Sequence, residues 1–309
     1  MPFSFKSVGP GFAGYEFTDT LFYNIKFFLD NGFLEAGGYE NVTRGVSSFF
    51  NVDDSVLRPV FDERYNVGRV YNGLGKSWVW ESGINVPSGA VPPFRPSGVW
   101  VDNIFHSINE TGFFAHKIDF QRGRIIFDNA IDQNSIVQAE YSFRKVNVDF
   151  ADDPDFRTLI LQGQEQFLLD TFPSGKQPKD HQIYLPAVFI DMRNLSSTGL
   201  QLGGGQIISN TILLHVFADH PSDRNHINDI LFKQNRTSFI MADFNNAQFP
   251  LDADGDVRAG ITNFSDIIAN SPGHKLVGDT ASSFKVDSVN PGIFRARIEF
   301  DIQISLGDI

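Results

Sequence analysis

The chain has 309 residues, of which 37 are acidic and 25 are basic, so its net charge is −12. A surface that grips nucleic acid through phosphates needs basic side chains, and this balance, with no basic run, argues against a nucleic-acid-binding protein. The absence of cysteine excludes disulfides, thiolate catalysis and cysteine-based zinc sites.

The apolar residues are unusual, with 32 phenylalanines against 3 methionines and 3 tryptophans. Phe buries a large area with few rotatable bonds and favours strands. No stretch is apolar for long enough to span a membrane, and the N-terminus lacks the regions of a signal peptide. We therefore expect a protein made in a cytoplasm. The chain is longer than one hydrophobic core usually fills, so we also expect two domains.

The first predicted element is a helix in an N-terminal segment, residues 1–45. Thr18 is suited to cap its start and Gly32 to end it. Five apolar side chains recur at helical spacing: Leu21, Phe22, Ile25, Phe28 and Leu29. A helix this apolar on one face must dock onto another part of the protein.

Residues 46–150 consist of short apolar runs separated by Gly, Pro, Asn and Asp, which predicts a β-rich domain resembling a sandwich or barrel. Its predicted strands cover residues 61–71, 77–81, 99–105 and 113–120. Residues 85–98 hold four prolines and no periodicity. Because proline removes ladder donors, this segment is predicted to be a long loop or an arm that reaches a neighbouring subunit.

Residues 151–309 predict an α+β domain in the order helix, strand, strand, helix, strand, strand. The helices begin near Pro154 and Pro221, and the first three strands cover residues 183–192, 206–218 and 237–244. The last strand alternates strictly, with polar residues between the apolar residues Phe294, Ala296, Ile298, Phe300, Ile302 and Ile304. One face of this strand is therefore predicted to be buried in a core or an oligomer contact.

Asp252, Asp254 and Asp256 lie at alternate positions, as at the start of a calcium loop. That loop needs Gly at its sixth position and Glu at its twelfth, where this chain has Val257 and Asn263. An exposed turn is the favoured interpretation, and a metal site is the alternative.

His215, Asp219 and His220 could bind zinc or assist proton transfer, but strand-end His and Asp are also common caps. The glycine-rich run at 202–206 leads into a strand and not into a helix, so it lacks a phosphate-binding helix terminus. We find no convincing catalytic set and predict no cofactor. A structural or interaction protein is favoured over an enzyme.

The stretch KIDFQRGRIIFDNAIDQNSIVQAEYSF, residues 117–143, predicts strands joined by a glycine turn and a polar turn. It resembles the hairpin D-Y-x-x-G-x-I-x-F…V-x-A-x-Y-x-Y of tail and neck proteins of tailed bacteriophages. The matching positions are Asp119, Gly123, Phe127, Val137, Ala139, Tyr141 and Phe143. In this resemblance Asp119 and Gly123 make the turn.

Residues 153–304 resemble the tail-terminator family of long-tailed phages, through LPAVFI, the glycine-rich turn, ILLHVFADHPSDRNHINDIL and the last strand. The family is typically one small domain, whereas this chain carries a β-rich domain ahead of it. The resemblance implies a self-associating ring, usually sixfold, between tail tube and head connector. Its expected neighbours are tail tube, sheath and connector proteins, and genomic DNA would pass through the lumen without specific binding.

That resemblance implies a virion protein of the tail or neck, which is assembled in the host cytoplasm and does not bind a membrane. One alternative is a baseplate- or fibre-associated tail protein whose β-domain binds a partner or a host glycan. Another is a metal-dependent hydrolase that uses His215, Asp219, His220 and the loop of Asp252, Asp254 and Asp256.

Overall fold

A computed structural model describes residues 17–45, 53–152, 156, 185–199, 206–286 and 292–306. Within these ranges the fold is α+β, consisting mostly of strands with three helices. The helices are α1 (Phe17–Glu35), α2 (Pro221–Phe232) and α3 (Phe264–Asn270). The strands are β1 (Tyr39–Val42), β2 (Arg58–Pro59), β3 (Val70–Asn72), β4 (Gly98–Val101), β5 (Ile104–Ser107), β6 (His116–Asp119), β7 (Arg124–Phe127), β8 (Val137–Gln138), β9 (Tyr141–Arg144), β10 (Asn147–Phe150), β11 (Ala187–Gly199), β12 (Gln206–Ala218), β13 (Ser238–Ala242), β14 (Pro272–Val286) and β15 (Phe294–Leu306).

Helix α1 confirms the predicted N-terminal helix but continues through Gly32, the predicted end, as far as Glu35, and it is buried on two sides. Leu21 and Leu29 pack in the core against the C-terminal sheet, and Phe27 packs in a second core with the β-rich part. Asn24 fixes the helix to the end of β13, because its amide both donates to Ala242 O and accepts from Ala242 N, at 2.9 and 2.6 Å. Helix α1 therefore joins the two cores.

The β-rich part forms three small antiparallel sheets, with the orders β1-β9, β2-β3-β7-β6 and β5-β4-β8. The strand predicted over 61–71 is formed only at β3, and residues 77–81 contain a buried β-bridge and no strand. The strand predicted over 99–105 is instead a hairpin of β4 and β5. Asp102 and Asn103 make its tight turn with φ of 49° and 68°, a conformation that Asn and Asp tolerate best.

The proline-rich segment 85–98 packs along β1 and β9 of its own chain. The Tyr39 hydroxyl donates to Val91 O at 2.7 Å, and Phe94 N donates to Ser142 Oγ at 2.9 Å. Ser142 N donates in turn to Phe94 O at 3.1 Å. These bonds satisfy backbone groups of a segment that forms no strand before β4 begins at Gly98.

The C-terminal sheet has six strands in the order β10-β11-β12-β15-β14-β13. Strands β10 and β11 are parallel, and every other neighbouring pair is antiparallel. Strand β10 lies in the segment predicted to belong to the β-rich domain, yet it forms one edge of this sheet. Strand β14 was not predicted, since its apolar alternation is interrupted by a bulge at 278–280 and most of its side chains are exposed.

The two faces of this sheet differ. Ile298, fully buried, and its alternate neighbours on β15 project to the side covered by α1 and α2. The second core combines β-rich residues with Phe244 and Ile267 from the C-terminal half. Both cores therefore take side chains from either side of the predicted division at residue 150. The helix predicted near Pro154 and the glycine-rich turn fall outside the described residues.

Candidate functional site

The sheet face opposite the helices carries polar and charged side chains from β11, β12, β14 and β15. It also carries a small buried apolar cluster in which Phe189 and Phe217 pack with Phe156. The cross-strand register groups them in rows. Arg297 lies opposite His215 and Phe284, and Asp301 lies opposite Thr211 and Thr280. We call this surface the polar face. The alternation of β15 predicted that such a face exists, but not which strands complete it.

One end of the polar face carries arginines around a buried histidine. His215 accepts at Nδ1 from the Arg295 guanidinium at 3.2 Å, and its Nε2 lies 3.5 Å from Asp191 Oδ2. Arg193 pairs with the same carboxylate at 3.2 Å. The Phe156 ring packs on the imidazole with a centroid distance of 5.1 Å. This arrangement makes His215 a neutral acceptor that positions Arg295.

Burial lowers the pKa of His215 to about 4, with a further lowering by the charge of Arg295 and an opposing effect of Asp191. A histidine whose folded-state pKa is depressed stabilises the fold above its unfolded pKa of about 6.5, and this stabilisation is lost as the pH falls towards the folded value. We predict that His215→Gln reduces the loss of unfolding free energy over this pH range, by up to about 3 kcal/mol.

Urea unfolding at several pH values measures this effect. Replacement of the exposed His226 by Gln is the matched control, because it makes the same substitution outside the sheet. Parallel stability profiles of the wild type and His215→Gln would contradict the assignment of His215 as a buried neutral group.

The other end of the polar face is acidic. Asp301 accepts hydrogen bonds from the hydroxyls of Thr211 and Thr280, at 2.8 and 2.7 Å. Gln303 donates to Asp279 at 3.4 Å, and Glu299 lies between the acidic and the basic ends. Charge is therefore segregated along β15, basic at its start and acidic towards its end.

Among the described residues, β11 and β14 are each paired on their outer side over only part of their length, and we call the remainder their free edges. Strand β10 pairs with β11 only as far as Ile190, and β13 pairs with β14 only as far as Val277, with one further backbone bond at Gly278. Within the described part of the chain, no strand pairs with the outer edges of residues 191–199 and 279–286. Such edges are templates for pairing with another chain.

The aspartates of the predicted calcium-like loop bind parts of their own chain. Asp254 pairs with Lys117 at 2.9 Å, and Asp252 Oδ1 accepts from the amides of Asp254 and Asp256 at 2.9 and 3.0 Å. The loop docks on the β6–β7 turn, where Phe120 N donates to Gly255 O at 3.0 Å. No group of His, Asp and Glu among the described residues is arranged to hold a metal ion.

The histidines considered for a hydrolase have separate surroundings. His220 caps α2 by accepting from Ser222 N at 3.3 Å, and it is exposed, whereas His215 is buried in the sheet. No hydrogen bond or ion pair joins His215 to Asp219 or His220 in the described ranges.

Asp119 and Gly123 both belong to the β6–β7 turn. Asp119 is buried, accepts from Arg122 N at 2.9 Å and pairs with the Arg122 side chain at 3.1 Å. Gly123 has φ of 65°, and a Cβ there would lie 2.2 Å from Gly75 O. The turn therefore requires glycine for both its conformation and its close packing.

No protein-family model matches the chain, and a search of curated proteins finds no similar sequence. No helix in the described ranges is long and apolar enough to cross a membrane. Any function therefore rests on the sequence resemblance and on the geometry of the sheet.

Proposed function

We propose that this protein is a non-enzymatic virion subunit of a tailed phage, in the tail-terminator or neck class. Copies of it form a ring, with sixfold order implied by the resemblance, which joins the tail tube to the head connector around a DNA channel. The resemblance of residues 117–143 and 153–304 to tail and neck proteins supports this role. The α+β sheet packed with helices is compatible with the domain expected from that resemblance.

The observation that carries the proposal is the pair of free edges on opposite sides of one sheet. In the order β11-β12-β15-β14 neighbouring strands alternate in direction, so β11 and β14 run antiparallel to each other. The β11 edge of one copy can therefore add to the β14 edge of the next and continue an antiparallel sheet. A head-to-tail contact of this type uses two different surfaces and closes into a ring if the rotation permits.

The free edges are also staggered. Strand β10 covers the first part of β11, and β13 covers the first part of β14, which runs in the opposite direction. The uncovered parts consequently lie at opposite ends of the sheet. Joining them offsets each copy along the strand direction, and such an offset tilts the strands of a closed barrel relative to its axis.

The faces of the sheet suit a channel. Helices α1 and α2 cover the apolar face, so this side would point away from the axis. The polar face would then line the lumen, and hydrated polar side chains suit a passage for DNA. A net charge of −12 limits nonspecific retention of the genome.

The β-rich part is proposed to contact the tail tube, sheath or connector proteins. This contact is implied by the resemblance, and the β-rich part exposes several large apolar side chains. The most exposed ones are Phe61, Val91, Ile104, Phe113 and Ile136.

Edge pairing is tested with Leu195→Lys. Leu195 lies on the free part of β11 with 55% of its surface exposed, and lysine on an edge strand opposes pairing. We expect the wild type to form rings in mass photometry and negative-stain images, and the variant to remain mostly monomeric. Val91→Lys is the matched control, since Val91 is 69% exposed but lies in the β-rich part.

Wild-type protein that stays monomeric and never joins tail tubes would refute the ring. Immunolabelling of intact virions gives an independent test. Label at the head–tail junction is expected, whereas label at the distal tip would favour a baseplate- or fibre-associated protein.

A further inference from the structure

We infer that Arg193, Arg295 and Arg297, here called the arginine patch, bind backbone phosphates of duplex DNA as it passes through the ring. This inference rests on the proposed function. The net negative charge of the chain predicts that the channel repels DNA along its whole length, and the arginine patch would add one attractive contact.

The patch carries more positive charge than its surroundings neutralise. Arg193 pairs with Asp191 at 3.2 Å, and Arg297 lies farther from its carboxylate neighbour Glu299, at 3.9 Å. Arg295 has no carboxylate partner among the described residues, and its polar contact is the neutral His215. In the same ranges the Nε atoms of Arg295 and Arg297 have no hydrogen-bond partner.

The arginines of the patch repel one another, as expected from the excess of positive charge. Burial lowers the pKa of Arg295, and the charge of Arg297 lowers it further. A phosphate bound between Arg295 and Arg297 would reduce the repulsion between their positive charges, so anion binding is favoured at this end of the polar face. Guanidinium groups match phosphate geometry and do not lose their charge at neutral pH.

Neighbouring side chains hold the guanidinium groups in place. Arg295 lies over the Phe217 ring at 5.3 Å, and Arg297 lies over the Phe284 ring at 5.5 Å. Arg295 is also fixed by its contact with His215 at 3.2 Å. Less side-chain entropy is lost when a restrained cation binds a ligand, so the patch is better prepared than flexible surface lysines.

The position of the patch predicts a directional channel. Arg295 and Arg297 lie at the start of β15, and Asp301 lies towards its end with Asp279 nearby on β14. In a closed ring each set of side chains repeats around the axis and forms a band. The basic band would contact DNA phosphates at one opening, and the acidic band would repel them along the rest of the passage.

Binding of a short blunt-ended DNA duplex to assembled rings is measured by fluorescence anisotropy over a salt series. Arg297→Gln should weaken binding about tenfold or more, and the slope of log affinity against log salt should become shallower by about one for each phosphate that is no longer bound. Arg297→Lys keeps the charge but loses the planar guanidinium, so its affinity should lie between those of the wild type and Arg297→Gln. Arg224→Gln, on the opposite side of the sheet, makes the same charge change and should leave binding unchanged.

Mass photometry on the same samples separates this inference from the proposed function. Rings that form normally but do not bind the duplex overturn the arginine patch and leave the ring intact. Equal weakening by Arg224→Gln and Arg297→Gln also overturns it, because net charge alone would then explain binding. Failure of the wild type to form rings overturns the proposed function itself. A thermal melt of each variant excludes misfolding as the cause of weaker binding.

Discussion

Arg144→Met is expected to lower the free energy of unfolding by about 3–5 kcal/mol, because it leaves the buried carboxylate of Glu81 without its cation. The Arg144 guanidinium on β9 donates from Nη2 to both carboxylate oxygens of Glu81, at 2.5 and 2.6 Å, and from Nη1 to Trp78 O at 3.1 Å. Its Nε lies 3.8 Å from Asp30 on α1. All three charged side chains are buried.

The cost comes from the charges that remain. Desolvating a carboxylate is costly unless a cation or hydrogen bonds compensate for the lost water. Without Arg144, Glu81 must either stay ionised in an apolar site or take up a proton. Asp30 keeps Lys26, 3.6 Å away, so the larger part of the loss arises at Glu81.

Urea unfolding followed by tryptophan fluorescence measures this loss, since Trp78 and Trp80 are buried close to Glu81 in sequence. Arg193→Met is the matched control. Its side chain is 57% exposed, and an exposed ion pair contributes about 0–1 kcal/mol. Equal costs for the two variants would show that the Arg144 cluster is not a buried network.

A double variant separates a missing pair from a stranded charge. Arg144→Met combined with Glu81→Leu removes both partners, and replacing a whole buried ion pair by apolar groups is often close to neutral. We expect the double variant to recover most of the stability that Arg144→Met removes. If it is less stable than the single variant, packing rather than charge explains the loss.

Sequence patterns predicted the elements whose signals are local. Strand β15 follows from strict alternation, and α2 follows from Pro221 at its first turn and apolar residues at helical spacing. Helix α1 follows in the same way. In each element, burial of one continuous face determines both the pattern and the structure.

Elements stabilised by distant neighbours were not predicted. Strand β14 has few buried side chains and is held by β15 and β13 through backbone bonds, which have no signature in sequence. The short strands of the β-rich part end at turns whose positions depend on packing. Asp102 and Asn103 make such a turn inside a run that appears continuous in sequence.

The arginine patch shows the same limit for a site. The sequence identifies Arg295 and Arg297 only as polar residues on one side of a strand. Their neighbours on the polar face depend on the register between β15 and β12. His215 and Arg295 are 80 residues apart in sequence but in contact in the fold. The order of charges along β15, arginines first and carboxylates later, was the one local signal that could have indicated a segregated face.

Net charge also conceals this segregation. Against a chain total of −12, a local group of arginines makes little difference to the sum. A sheet separates charges that alternate with apolar residues along one strand, and it brings like charges together across strands. An acidic protein can therefore carry a basic surface at one end of a single face.

Ile298→Asp is expected to prevent folding altogether. Ile298 is fully buried in the middle of β15, with Leu214 and Ser283 opposite it on the flanking strands. It packs in the core that joins the sheet to α1 and α2. A carboxylate at this position would lie among apolar side chains, without a cation or hydrogen-bond donor to compensate for lost water. The cost of burying it is comparable with the total stability of a typical domain, about 5–15 kcal/mol.

Circular dichroism and size-exclusion chromatography measure the outcome, with two matched variants that separate charge from size and from position. Ile298→Val removes one methylene and should cost about 0.5–1.5 kcal/mol. Gln303→Asp introduces the same carboxylate on the same strand, but on the exposed polar face. It loses the hydrogen bond to Asp279 and should still fold, at a far smaller cost than Ile298→Asp. A folded Ile298→Asp protein with native stability would require β15 to shift by one residue, which would turn Arg297 into the core and remove the polar face on which the proposed channel depends.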